Sequence, residues 1–140
     1  MKAIGYNTNL AAEYYVLSML YRYGVDASLT LGNKKSVDIV VLRGRTLLSI
    51  DVKGLAGKTL WALDNFTKQT EHHFIALVSF LGLINNCTVA PEVYILPSSD
   101  VEQYLYRNPK GTRKGIQFSR MRKDGNKHKN AWSQFKLNDD

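Results

Sequence analysis

Among its 140 residues the chain has a single cysteine, Cys87, so no internal disulfide can brace it. That shortage fits a reducing interior, where a lone thiol is expected to be buried. Long hydrophobic runs are missing too. The most apolar stretches, around "YYVLSML" and "HFIALVSFLGLI", stop short of the roughly 20 residues that span a bilayer, and the first residues lack the layout of a secretion signal. A soluble, cytoplasmic protein is the expectation. There is no internal repeat and no low-complexity linker. The length of 140 residues suits one ordinary core and not two. One domain over residues 1–140 is expected, with a basic C-terminal portion at 107–136.

Acids are the scarcer charge, 12 against 19 Lys and Arg, for a formal charge of +7. The imbalance is local. Between Arg107 and Lys136 stand ten basic residues and one acid, Asp124, while the rest of the chain holds nine basic residues against eleven acids. A positive surface of this kind suits a polyanion, and a merely solvated tail would show the same composition.

"NTNLAAEYYVLSMLYRYGV" predicts a helix, with Asn7, Thr8 or Asn9 as its cap and Gly24 as its stop. Three strand-like stretches follow, "DASLTLG", "SVDIVVL" and "TLLSIDVKG". The links between them are too short for crossover helices, so they predict an antiparallel meander. "LAGKTLWALDNFTKQTE" is read as an irregular edge strand, with a helical turn as the alternative. "HHFIALVSF" and "EVYILP" read as strands, "SSDVEQYLYR" as a short helix capped by Ser98 or Ser99, "GIQFSRM" as a strand, and "NAWSQFKL" as a last short element pinned by Trp132 and Phe135. The sum is α/β with a mixed sheet.

Two aspartates and a lysine interrupt the meander where valine or isoleucine would pack better. Asp51 and Lys53 face the same side of their strand, and an antiparallel partner can bring Asp38 to within about 5 to 8 Å of Asp51. A buried carboxylate needs compensation, from the lysine, a metal, or both. Magnesium takes oxygen ligands, and Asp38, Asp51 and the carbonyl of Val52 are placed to supply them. Such a site permits phosphodiester hydrolysis, with Lys53 orienting or activating the attacking water. Glu13 would add a third carboxylate if its helix crosses the sheet edge nearby. The bland alternatives stay open: a solvated Asp38, a surface pair between Asp51 and Lys53, and a solvent-facing Glu13.

With these residues in place the chain resembles the PD-(D/E)XK nuclease superfamily, in which a glutamate-bearing helix precedes a strand hairpin carrying an acid and then a (D/E)xK triplet. The matching residues are Glu13 in "NLAAEYYVLSMLYRYG", Asp38 in "SVDIVV" and Asp51-Val52-Lys53 in "LLSIDVKG". Val37 stands where the namesake motif has proline, and Asp51 where many members have glutamate. The resemblance covers roughly residues 5 to 106. It implies a restriction endonuclease-like core with a mixed central β-sheet flanked by helices. It also implies a metal site of Asp38, Asp51, Val52 and Glu13 that takes magnesium, with manganese able to substitute, and a catalytic set of Glu13, Asp38, Asp51 and Lys53. Small members include archaeal-type Holliday junction resolvases.

Lys58, Trp61, Arg113, Lys114, Arg120, Arg122 and Lys123 are the candidate nucleic-acid contacts, and covering a sheet edge is an equal reading for Trp61. His72 and His73 read as a cap and a surface feature, without metal-ligand spacing to Cys87 or His128. Gln69 can point toward the site. "NPKGTRKG" lacks the full phosphate-loop pattern, so no nucleotide cofactor is expected. The function expected is a magnesium-dependent endonuclease acting on DNA, a junction-resolving mode being one option, as a homodimer, since one small site cuts one strand. The alternatives are a non-catalytic nucleic-acid-binding module or nuclease-complex subunit with the same fold, and an interaction domain whose basic tail meets an acidic protein.

Overall fold

The side chain of Asn7 accepts the Leu10 N–H at 3.4 Å and so caps α1, Thr8–Arg22. Ala12, Val16 and Leu20, one turn apart, form its buried face. The computed structural model describes residues 7–30, 38–64, 66, 71–111 and 113–137; Val37 and Gln69 lie outside them. Among the described residues no helix is long and apolar enough to cross a membrane.

The expected meander forms as β1 (Asp26–Leu29), β2 (Ile39–Arg43) and β3 (Thr46–Leu55), all antiparallel. The next main strand, β5 (His73–Ser79), pairs with β3 in parallel, and β6 (Glu92–Pro97) returns antiparallel to β5. The sheet is therefore mixed, in the order β1-β2-β3-β5-β6. A parallel pair needs a crossover. Here the crossover supplies β4 (Leu60–Ala62), the founding strand of a second sheet ordered β4-β8-β7, with β7 at Leu105–Arg107 and β8 at Lys114–Gln117. The strand expected over "LAGKTLWALDNF" thus exists, but in its own sheet.

Two apolar layers sandwich the main sheet. On one face α1, Trp132 and Phe135 pack against Ile39, Leu48, Ile50, Val52, Phe74 and Ala76. On the other, Trp61, Val101, Tyr104, Ile116, Phe118 and Met121 pack against Ile75, Leu77, Tyr94 and Leu96. Because β5 lies between strands and under both layers, all seven of its residues are buried.

Three expectations need correction. "SSDVEQYL" forms no α-helix but two 3-10 turns, Ser98–Asp100 and Glu102–Tyr104, without a side-chain cap. Val101 and Tyr104 are both buried in the second layer, and the eclipsed spacing of a 3-10 turn brings residues three apart to the same side. "GIQFSRM" is strand only to Gln117 and then becomes α2, Phe118–Asp124, where Phe118 and Met121 face the core. Cys87 is exposed, because it falls in the turn-rich link between β5 and β6 and not in a packed element.

Candidate active site

The β2–β3 register pairs Ile39 with Ile50, and continuing it by one residue sets Asp38 beside Asp51. The Asp38 N–H donates to the Ile50 carbonyl at 3.0 Å. Backbone polar groups alternate sides along a strand, so those of Val52 face the same way, past the point where β2 begins. There the Asp38 carboxylate takes over from the missing strand. Its Oδ2 accepts the Val52 N–H at 2.7 Å, a short bond of the charge-assisted kind. The Val52 carbonyl faces the same gap, while its side chain, 3% exposed, is held in the α1 layer.

Two residues on, the edge of β3 is covered by α1. Gly54 donates its N–H to Asn9 Oδ1 at 2.9 Å. A Cβ on Gly54 would stand 2.8 Å from the Thr8 carbonyl oxygen and 3.1 Å from the Ala12 Cβ. Only glycine allows this approach, and the approach delivers Glu13. The Glu13 carboxyl reaches Asp38, whose own carboxyl also hydrogen-bonds Asp51. The three acids expected from the sequence are therefore neighbours, with Asp38 in the middle.

The electrostatics show how little compensates them. Burial pushes the Asp51 carboxyl up to about 7, helped by its hydrogen bond to Asp38 and by the Asp38 and Glu13 charges, with Lys53 opposing. Burial, the Asp38 charge and the hydrogen bond to Asp38 likewise raise Glu13. Lys53 Nζ stands 3.8 Å from Asp51 Oδ2, with the lysine side chain 34% exposed and the aspartate 18%. That separation is at the long limit of an ion pair.

Among the described residues no three His, Cys, Asp or Glu groups are arranged as a ready ion cage. The donor set itself, the hard oxygens of three carboxyls and the Val52 carbonyl, matches magnesium or manganese in kind. A proton on Asp51 and a divalent cation are alternative ways to relieve the same excess of negative charge.

The expected nucleic-acid contacts divide. Lys58, Arg113 and Lys123 are exposed and Lys114 half-buried. Trp61 is 1% exposed, and its indole N–H donates to the Val78 carbonyl at 3.1 Å. Its edge-covering role is the one seen, and it is corrected as a nucleic-acid contact. Arg120 pairs with Asp124 at 2.7 Å and donates to the Gln103 carbonyl. Arg122 forks onto Glu92 at 3.2 and 3.1 Å and lies 4.7 Å from the centre of the Phe118 ring. Burial pushes Glu92 up, but the hydrogen bonds from Arg122 and Tyr94 outweigh it and hold the carboxyl below its usual range. Both arginines, though exposed, are thus already paired with acids of the chain. His72 is exposed, whereas His73 is 6% exposed with both ring nitrogens unpartnered, so its surface reading is corrected. Sequence reasoning missed Asn9 and Gly54 as positioning residues. The glycine directly after the DxK triplet was the available signal.

No protein-family model matches the chain, and no curated protein does. Among solved structures it is similar to a bacterial homing endonuclease, I-Ssp6803I, with a TM-score of 0.58 over 91% of this chain and 89% of that one, at 16% identity. The likeness is one of fold, a restriction endonuclease-like α/β core with a mixed sheet flanked by helices.

Proposed function

We propose that the chain is a divalent-cation-dependent endonuclease that hydrolyses DNA phosphodiester bonds. The observation that carries this reading is the undercompensated cluster Glu13–Asp38–Asp51, with Lys53 beside it, at the open edge of β3. Asp38 and Asp51, with the Val52 carbonyl, would hold the cation, and Glu13 would join directly or through water. Magnesium is the expected ion, with manganese able to substitute. Bound there, it would lower the pKa of a water and offset charge on the phosphate.

The chain's own groups do the rest. Asp38 keeps the β3 edge fixed through the Val52 N–H, so the donors are held in place before substrate arrives. Lys53, partly exposed and only loosely paired, is free to hydrogen-bond the attacking water and to meet charge developing on the phosphoryl oxygens. The fold shared with a homing endonuclease supports nuclease chemistry, and the basic C-terminal portion supports a nucleic-acid substrate. One acid cluster cuts one strand, so cutting both strands takes two copies and suits a homodimer.

The test is cleavage of a labelled panel of linear duplex, flapped duplex, four-way junction, single-stranded DNA and RNA, in magnesium or EDTA, by wild type and Asp51→Asn. Cutting that needs magnesium and disappears in the variant is expected, and the preferred lane names the substrate. Binding without cutting, equal in both proteins, would assign the acids a structural role and make the chain a binding module.

A further inference from the structure

The β7–β8 hairpin sets two cations directly against each other. Arg107 and Lys114 are register partners, and like charges opposite one another on adjacent strands destabilise the pair. The protein offers little remedy. Arg107 has Glu102 at 3.8 Å, with both side chains about 60% exposed, where an ion pair contributes little. Lys114 Nζ donates to the Phe66 carbonyl at 2.9 Å and lies 5.8 Å from the centre of that ring, contacts that leave its charge unneutralised. Arg113, exposed beside them, has no ion pair among the described residues.

These cations surround a cavity. It measures about 240 Å³ and is lined by Asp64, Arg107, Gly111, Arg113 and Lys114, the volume of roughly eight water molecules. Among the described residues Asp64 is the one acid that lines it, and its Oδ1 already accepts the Lys114 backbone N–H at 3.1 Å. The described lining thus sets three positive charges against one negative.

The loop that closes the hairpin is braced. The Asn108 N–H donates to the Arg113 carbonyl at 3.0 Å, the Gly111 N–H to the Asn108 carbonyl at 2.7 Å, and the Lys110 N–H to Asn108 Oδ1 at 3.0 Å. Pro109 presets the turn, and Gly111, at φ 76°, takes the left-handed position. These bonds shape the backbone of the turn, so that Arg107, Arg113 and Lys114 all line the same hollow at its end.

We propose that this hairpin is a phosphate clamp, in which Arg107, Arg113 and Lys114 together take a backbone phosphate of duplex DNA in the cavity. The proposal rests on the DNA-cleaving function above and adds where the substrate is gripped. The clamp supplies affinity and position without base choice. It also gives the facing cations a role that Arg120 and Arg122, each closely paired with an acid, do not share.

The test uses the full chain in two measurements. In the first, thermal melting is followed in inorganic phosphate and in chloride at equal ionic strength, for wild type and for Arg107→Gln/Arg113→Gln. Phosphate should raise the wild-type midpoint, and the double variant should lose that gain while melting no lower than wild type in chloride. In the second, binding of a labelled duplex is titrated against salt in the non-cutting Asp51→Asn background. The double variant should weaken binding by tenfold or more, and the slope of log affinity against log salt should fall by about 1, the share of one phosphate. A control of equal charge loss, Lys127→Gln/Lys136→Gln, should stay near the parent in both.

Duplex bound with an unchanged slope in the hairpin variant, or variant and control shifting alike, would overturn the clamp and leave the nuclease standing. A phosphate gain lost in the variant with no duplex binding at all would instead overturn the DNA reading and leave an anion site on the hairpin.

Discussion

Asp51 carries the clearest consequence at the scale of a single residue. Its carboxyl is pushed up to about 7 in the fold from an ordinary value of 3.8, so the folded chain favours the protonated form. The stabilisation is complete below the ordinary value and is lost as pH rises through 7. Each pKa unit corresponds to roughly 1.4 kcal/mol, so the cation-free protein should lose on the order of 2 kcal/mol between pH 5 and pH 8. Glu13 shifts in the same direction. Burial lowers His73, a shift of opposite sign whose stabilisation is lost as pH falls. Urea unfolding in EDTA across that range should show the decline in wild type and a flat or reversed profile in Asp51→Asn. Magnesium should stabilise wild type more at pH 8 than at pH 5. A wild-type profile that rises from pH 5 to pH 8 would mean that Asp51 is not held protonated.

The sequence made these acids readable for a physical reason. Strand alternation fixes which residues share a side, and a carboxylate inside an apolar run is out of place unless something uses it. Glu13 had a weaker signal, since an acid on a helix is ordinary; it was a candidate only if its helix crossed the sheet edge, and the resemblance supported it. Trp61 had two equal readings because a sequence does not say which side of a short strand is covered.

Between residue and element stands Gly54, where α1 touches down on β3. An alanine there would meet the Thr8 carbonyl oxygen at 2.8 Å, and backbone cannot swing aside as a flexible side chain would. Gly54→Ala should lift the start of α1, destabilise the chain by about 1–3 kcal/mol, and carry Glu13 away from Asp38. Its single-turnover cleavage should therefore fall by more than any loss of folded protein explains. Asn9→Ala, which removes only the hydrogen bond, should do less on both counts. Equal rates and equal urea midpoints in Gly54→Ala and wild type would show that the close approach is dispensable.

The longer elements were legible and the shorter ones were not. Fifteen helical residues with Ala12, Val16 and Leu20 on one face declare themselves, as do the ten residues of β3. "GIQFSRM" holds seven residues, too few for either periodicity to repeat, and packing of Phe118 and Met121 against Trp61 and its neighbours decides where strand gives way to helix. The turns at Ser98–Tyr104 were settled in the same way, by Val101 and Tyr104 reaching one core.

For the whole molecule, the mixed main sheet could be anticipated from its strong strands. The second sheet could not. Its strands run three or four residues, and β4 pairs with β8 across more than fifty positions of sequence, Ala62 opposite Gly115. Nothing local announces such a pairing. The charge distribution was readable as a total but not as a surface, because α2 turns Arg120 and Arg122 onto internal partners while the β7–β8 hairpin leaves Arg107 and Arg113 outward.

Both apolar layers pack on β5, which is buried along its whole length. Amide hydrogen exchange should accordingly find its slowest protons in β5 and the adjoining part of β3, the strand that bears Asp51 and Lys53, and trypsin should first nick the exposed tip at Lys110 or Arg113. The molecule then has a gradient of firmness, loose where it would first meet a nucleic acid and last to yield where it would cut. A half-unfolded copy would therefore lose its proposed hold at the tip while the acid-bearing strands still stood together, so loss of folding would release the nucleic acid before it dismantled the groups that would cut it.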